Sequence, residues 1–103
     1  MKGVLKVVSI AVVLPTKLGK HACKSLTDMM FFYKKMGYIA TADICKAALE
    51  CKVKAFAITH KVNMIDMPDG SKYRNHFVVM KLDFETARDG GMFIKEYSNI
   101  ITN

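Results

Sequence analysis

Arginine is scarce in this chain. Of 16 basic residues in 103, only Arg74 and Arg88 are arginines, and the rest are lysines. Guanidinium forks are the usual readers of guanine edges, whereas lysine is a point charge that suits phosphate. The shortage argues against a rich direct base code. It leaves backbone-dominated, salt-sensitive attraction as the expectation for a nucleic-acid partner. Cysteine is also sparse. Cys23, Cys45 and Cys51 are odd in number and follow no secreted-scaffold spacing. They exclude a disulfide framework and point to reduced thiols in a cytoplasmic protein.

No apolar run reaches the ~20 residues of a membrane-spanning helix. The apolar N-terminal segment is broken by Lys6. Pro15-Thr16-Lys17 follows it where a signal peptide would carry a small-residue cleavage site. Neither membrane insertion nor a cleaved signal is expected. Phosphate-cradling glycine loops, a dinucleotide fingerprint and a nucleophile elbow are all missing. No repeat, low-complexity tract or linker divides the chain, so residues 1–103 read as one domain. No cofactor is implied.

What is present is charge, unevenly placed. Residues 1–54 hold ten lysines against Asp28, Asp43 and Glu50, while residues 55–103 balance six bases with six acids. The formal charge of +7 therefore belongs to the N-terminal half, most densely at Lys17, Lys20, Lys24, Lys34 and Lys35. Such asymmetry suits a polyanionic partner, either nucleic acid (RNA or DNA) or an acidic protein surface. Solubility of a small apolar protein is the plainer explanation.

Residues 4–14, mostly β-branched among their apolar positions, predict a buried strand. A basic loop over 15–23 follows. Leu26, Met29, Met30 and Tyr33 recur at helical spacing, with Ser25 as N-cap, Asp28 in the first turn and Gly37 as left-handed stop. A second helix is predicted from a Thr41 N-cap, with Ile44, Ala47, Ala48 and Cys51 along one side. Residues 53–66 and 73–84 alternate with period two around Pro68-Asp69-Gly70, which predicts a β-hairpin. Arg88-Asp89-Gly90-Gly91 reads as a break. A short final helix with Phe93, Tyr97 and Ile100 follows, or a strand over Met92–Tyr97.

Both hairpin strands carry their stronger apolar set on even positions. Even must therefore face even, pairing Phe77 with Lys61, Asn75 with Asn63 and Val79 with Thr59. The odd face then shows Tyr73 and Phe77 among Lys61, Lys81, Asn63 and Asn75. Aromatics among lysines can stack bases while holding phosphates. The alternative is that the C-terminal helix covers this face and Phe77 is core.

His60 and His76 fall on the same side as near neighbours, an arrangement that two-histidine RNA cleavage would need. Histidines in a half-buried strand are more often structural, so no catalytic residue is assigned. His21, Cys23, Cys45 and Cys51 match no usual zinc spacing, and no metal site is assigned.

The expected fold is α+β. A small antiparallel sheet forms from the N-terminal strand and a hairpin at about 53–84, packed by two to three helices. The competing fold is a winged helix-turn-helix with a third helix over 53–63. There Lys54, Thr59 and Lys61 would face the major groove, though Lys52 stands where glycine is often wanted. The expected function is a small, non-catalytic regulator that binds nucleic acid or a nucleoprotein surface. Its binding residues would be Lys17, Lys20, Lys24, Lys34, Lys35, Lys61, Tyr73, Arg74, Phe77 and Lys81. The alternative function is an interaction module or inhibitor that binds an acidic surface of a partner protein. An edge position for the first strand would leave room for homodimer pairing.

Overall fold

The structure is a computed structural model that describes residues 7–15 and 24–102. The elements run β1 (Val8–Leu14), α1 (Leu26–Lys35), α2 (Ile39–Glu50), β2 (Ala55–Asp66), β3 (Lys72–Phe84) and α3 (Ala87–Thr102). The three strands form one antiparallel sheet in the order β1-β3-β2. This is the α+β arrangement expected from the alternation.

The register follows from burial. Lys61 faces Phe77, Asn63 faces Asn75 and Thr59 faces Val79. Val78, Met80, Leu82 and Phe84 of the central strand are all buried, and a slip of one residue would turn them to solvent. Val12 and Leu14 join them from β1, with Ile10, Phe56 and Ile58 partly buried beside them. The helices close this even-numbered side with Leu26, Met29, Tyr33, Ala42, Ile44, Cys45, Ala47, Ala48 and Phe93. Among the described residues only one face of β1 is covered, so the expectation of a buried strand needs correction over its described part, 8–14. Val13 points the other way and is 66% exposed.

Local chemistry sets the helix ends. Ser25 is extended, and its hydroxyl accepts a hydrogen bond from the Asp28 amide at 3.0 Å, as expected for an N-cap. At the other end Gly37 takes φ +89. Its amide donates to the Lys34 carbonyl and the Tyr38 amide to the Tyr33 carbonyl. These two bonds close a Schellman turn, which requires the left-handed residue. The turn carries the chain straight into α2, which starts at Ile39. Thr41 is therefore not the N-cap. The first carbonyl to accept is that of Tyr38, from Ala42, and no side chain caps it. A second turn of the same kind ends α2 with Lys52 at φ +61, where glycine would be unstrained.

No helix forms over residues 53–63. Residues 55–66 are strand, so Lys54, Thr59 and Lys61 lie on no recognition helix. Gly70 supplies the positive φ of the turn, at +86. Asp69 accepts from the amide and hydroxyl of Ser71, at 2.9 and 2.6 Å. These bonds hold its carboxyl below the ordinary range.

The Gly90-Gly91 pair does not break the chain. It lies inside α3, which also replaces the alternative strand over Met92–Tyr97. Thr86 initiates this helix, its hydroxyl accepting from Asp89 and its carbonyl from Gly90. Gly90 is there for space. A Cβ at this position would sit 3.0 Å from a Val8 methyl carbon, so the helix approaches β1 on a bare backbone. Phe93 then stacks on Phe84 with ring centroids 5.1 Å apart.

Cys45 and Cys51 are free and buried. Burial pushes the Cys45 thiol from 9.0 up to about 11. Cys51 moves the same way, first by burial and then by the carboxylates of Glu96, Glu50 and Asp89. Below pH 9 both folded and unfolded chains keep the Cys45 proton, and the contribution to stability is full. Between pH 9 and 11 only the unfolded thiol ionises, so stability falls as pH rises. The expected loss across that window from Cys45 is about 2 to 3 kcal/mol. Urea unfolding at stepped alkaline pH measures it. A Cys45→Ala variant with the same alkaline slope would show that another group is responsible.

Candidate nucleic-acid interface

The pleat that buries the even residues leaves the odd ones on the opposite face. Rows across that face read Ser9–Asp83–Ala55, Ala11–Lys81–Ala57, Val13–Val79–Thr59, Phe77–Lys61, Asn75–Asn63 and Tyr73–Ile65. α3 packs on the even side through Phe93, so it does not cover this face. The odd face is open among the described residues. Small residues flank Lys81 on both sides, and the lysine stands exposed above a shallow floor.

Lys61, Tyr73, Phe77 and Lys81 therefore share one open face. Tyr73 is 50% exposed, while Phe77 is half-buried and offers less of its ring. Arg74 is exposed on the opposite face of the hairpin, across from Met64. Lys24, Lys34 and Lys35 are exposed at the two ends of α1, in the helical layer beyond the sheet. Lys17 and Lys20, like His21 and Cys23, lie outside the described residues. The described members of the densest lysine run, Lys24, Lys34 and Lys35, are thus not gathered with the hairpin cations.

The carboxylates of the sheet are engaged locally. Asp66 pairs with Lys72 at 2.7 Å. Asp69 is held by Ser71, and Asp83 accepts from the Ser9 hydroxyl at 2.6 Å. Lys61, Arg74 and Lys81 have no such partner among the described residues. The exposed Lys72–Asp66 pair adds at most about 1 kcal/mol to stability. Both residues hold even positions, so the pair lies on the side opposite the odd face.

Sequence reasoning identified the histidine pair but not the cavity it lines. His60 and His76 are diagonal neighbours on the even side of the hairpin, with Cα atoms roughly 7 to 8 Å apart. With Leu14, Pro15, Lys61, Phe77 and Val78 they line a cavity of about 380 Å³ with no carboxylate among the described residues that line it. Two imidazoles and a nearby ammonium suit a phosphate group. A second hollow, of about 370 Å³, runs between α1 and α2. Met30, Phe31, Ile39, Ala42 and Leu49 supply its apolar wall, and Lys34, Lys46, Asp43 and Glu50 its balanced rim. No sequence signal indicated this groove, because it depends on how two helices pack. Among the described residues no three His, Cys, Asp or Glu side chains gather to hold a metal, and no helix is long and apolar enough to cross a membrane. Comparison with family models, curated proteins and solved structures finds no match.

Proposed function

We propose that this chain is a small, non-catalytic regulator that binds nucleic acid mainly through lysine–phosphate contacts. The observation that carries the reading is the open sheet face. Lys61 and Lys81 stand on it without a carboxylate partner among the described residues, on the same face as Tyr73 and Phe77. Cations grouped on an open face attract a polyanion. The buried free thiols of Cys45 and Cys51 fit a reducing, cytoplasmic setting. Pairing of two copies across the edge of β1, which no other strand among the described residues pairs, would extend the sheet and double the cations it presents.

Fluorescence anisotropy with RNA, single-stranded DNA and duplex DNA at low salt tests the reading. Binding to at least one is expected, and binding to none sinks it. The protein is also expected to leave RNA intact. Cleavage that disappears in His60→Ala or His76→Ala would replace the non-catalytic reading with a nuclease.

A partner protein with an acidic surface is the second reading, favoured by Lys61 and Lys81, which share the open face and have no carboxylate partner among the described residues. The acidic partner of that reading would meet the sheet cations rather than the groove, whose rim is balanced. One protein that stays bound after nuclease treatment, and is released by Lys61→Glu with Lys81→Glu, would favour it.

A further inference from the structure

We propose that the nucleic acid is duplex DNA and that the free end of the β2–β3 hairpin enters one of its grooves, an inference that rests on the nucleic-acid reading above. β1 accompanies β3 only as far as the Leu14–Val78 pair. Beyond it the hairpin continues as a two-stranded ribbon from Val62–His76 to Asp66–Lys72. Those five pairs span roughly 14 Å. Every residue of the ribbon is exposed except the half-buried Asn75. Among the described residues, nothing covers its faces or its edges. This projection accounts for a molecule 56 Å long and 29 Å thick, with a radius of gyration of 15.9 Å, where a compact chain of this size has about 13 Å.

A bare two-stranded hairpin is only marginally stable in water. This one exposes Val62, Met64 and Ile65 as well as Tyr73. Val62 and Met64 lie on one face, and Ile65 and Tyr73 on the other. A partner that encloses the ribbon on both sides accounts for both sets, and a strand lying flat on one face does not. The major groove of duplex DNA is about 12 Å wide and admits a two-stranded ribbon.

The polar residues fit the same partner. Asn63 and Asn75 stand directly opposite one another, and paired amides can meet adenine edges. Arg74 on the other face can reach guanine or phosphate, and Lys61 lies where the ribbon meets the body, placed for the backbone.

A single strand fits less well. Stacking needs open rings in series. Phe77 is half-buried and lies four residues from Tyr73, a separation of roughly 14 Å. The α1–α2 pair, joined by its three-residue glycine turn, has the spacing of a helix-turn-helix. Its outward side on α2 carries Asp43 and Glu50 against Lys46, so the ribbon rather than α2 is assigned to the groove.

The test compares a labelled mixed-sequence duplex of about 20 base pairs with each of its strands alone. The duplex is expected to bind at least about tenfold more tightly than either strand. The double variant Lys61→Glu/Arg74→Glu changes two exposed side chains, and an unchanged circular dichroism spectrum confirms that it folds. It is expected to weaken duplex binding at least about tenfold and to lower the salt slope by about 2. Equal or tighter binding of a single strand overturns the inference, as does a double variant with unchanged duplex affinity and slope. Binding of single strands alone removes the duplex while leaving the nucleic-acid reading in place. Binding of neither removes both.

Discussion

Duplex affinity is expected to fall about 40-fold when salt rises from about 50 to about 200 mM. The figure comes from three cations. Lys61, Arg74 and Lys81 are exposed on the hairpin and sheet and have no carboxylate partner among the described residues. Each phosphate neutralised adds about 0.9 to the slope of log affinity against log salt. Three give a slope near −2.7, and a fourfold rise in salt then costs about 40-fold. The lysines of α1 are left out because they lie in the helical layer, with the sheet between them and the open face. If Lys24, Lys34 and Lys35 also met phosphates, the slope would approach −5.4 and the loss about 10³-fold. A measured slope near −5 would mean that DNA wraps round the molecule onto α1. A slope near zero would remove phosphate as the ligand.

Replacing Phe84 by alanine is expected to cost about 3 to 5 kcal/mol. Phe84 and Phe93 are both fully buried. Their rings stack at 5.1 Å and join the end of β3 to α3, with Tyr97 continuing the row at 6.2 Å from Phe93. Truncation removes the transfer energy of the ring and leaves a cavity. α3 cannot close that cavity by moving inward, because Gly90 already rests on Val8. Small domains hold only about 5 to 15 kcal/mol in total, so this loss brings the chain near unfolding. Urea denaturation with an unchanged slope measures it. A loss below about 1 kcal/mol would mean that α3 is not docked on the sheet as described. The substitution lies on the helical side, so the folded fraction should keep its nucleic-acid affinity.

The hairpin register is legible in the sequence because parity alone decides it. Val78, Met80, Leu82 and Phe84 can be buried together only if even faces even, and Asp69-Gly70 locates the turn. The Ser25 cap and the Gly37 stop are legible for a similar reason, since each meets a backbone demand at one position. Thr41 misleads because a hydroxyl before an apolar run looks like a cap wherever it falls. The Schellman turn at Gly37 delivers the chain already helical at Ile39. Gly90-Gly91 misleads because glycine is costly inside an isolated helix. That cost is accepted here because a Cβ at Gly90 would meet Val8, a contact between residues far apart in the chain.

The candidate surface divides along the same line. Alternation alone was enough to put Lys61, Tyr73, Phe77 and Lys81 on one face, because strand geometry is periodic and local. Which face the helices would cover was not local. It depended on Phe93 finding Phe84 across the packed layers, which left the odd side open. The lysine-rich N-terminal half looked like one basic patch in sequence, yet its described members on α1 lie in another layer from the hairpin cations. Composition determined how much positive charge this protein carries and that lysine supplies nearly all of it. Only the tertiary structure decided which of those charges stand together, because proximity between layers is set by packing rather than by neighbours along the chain.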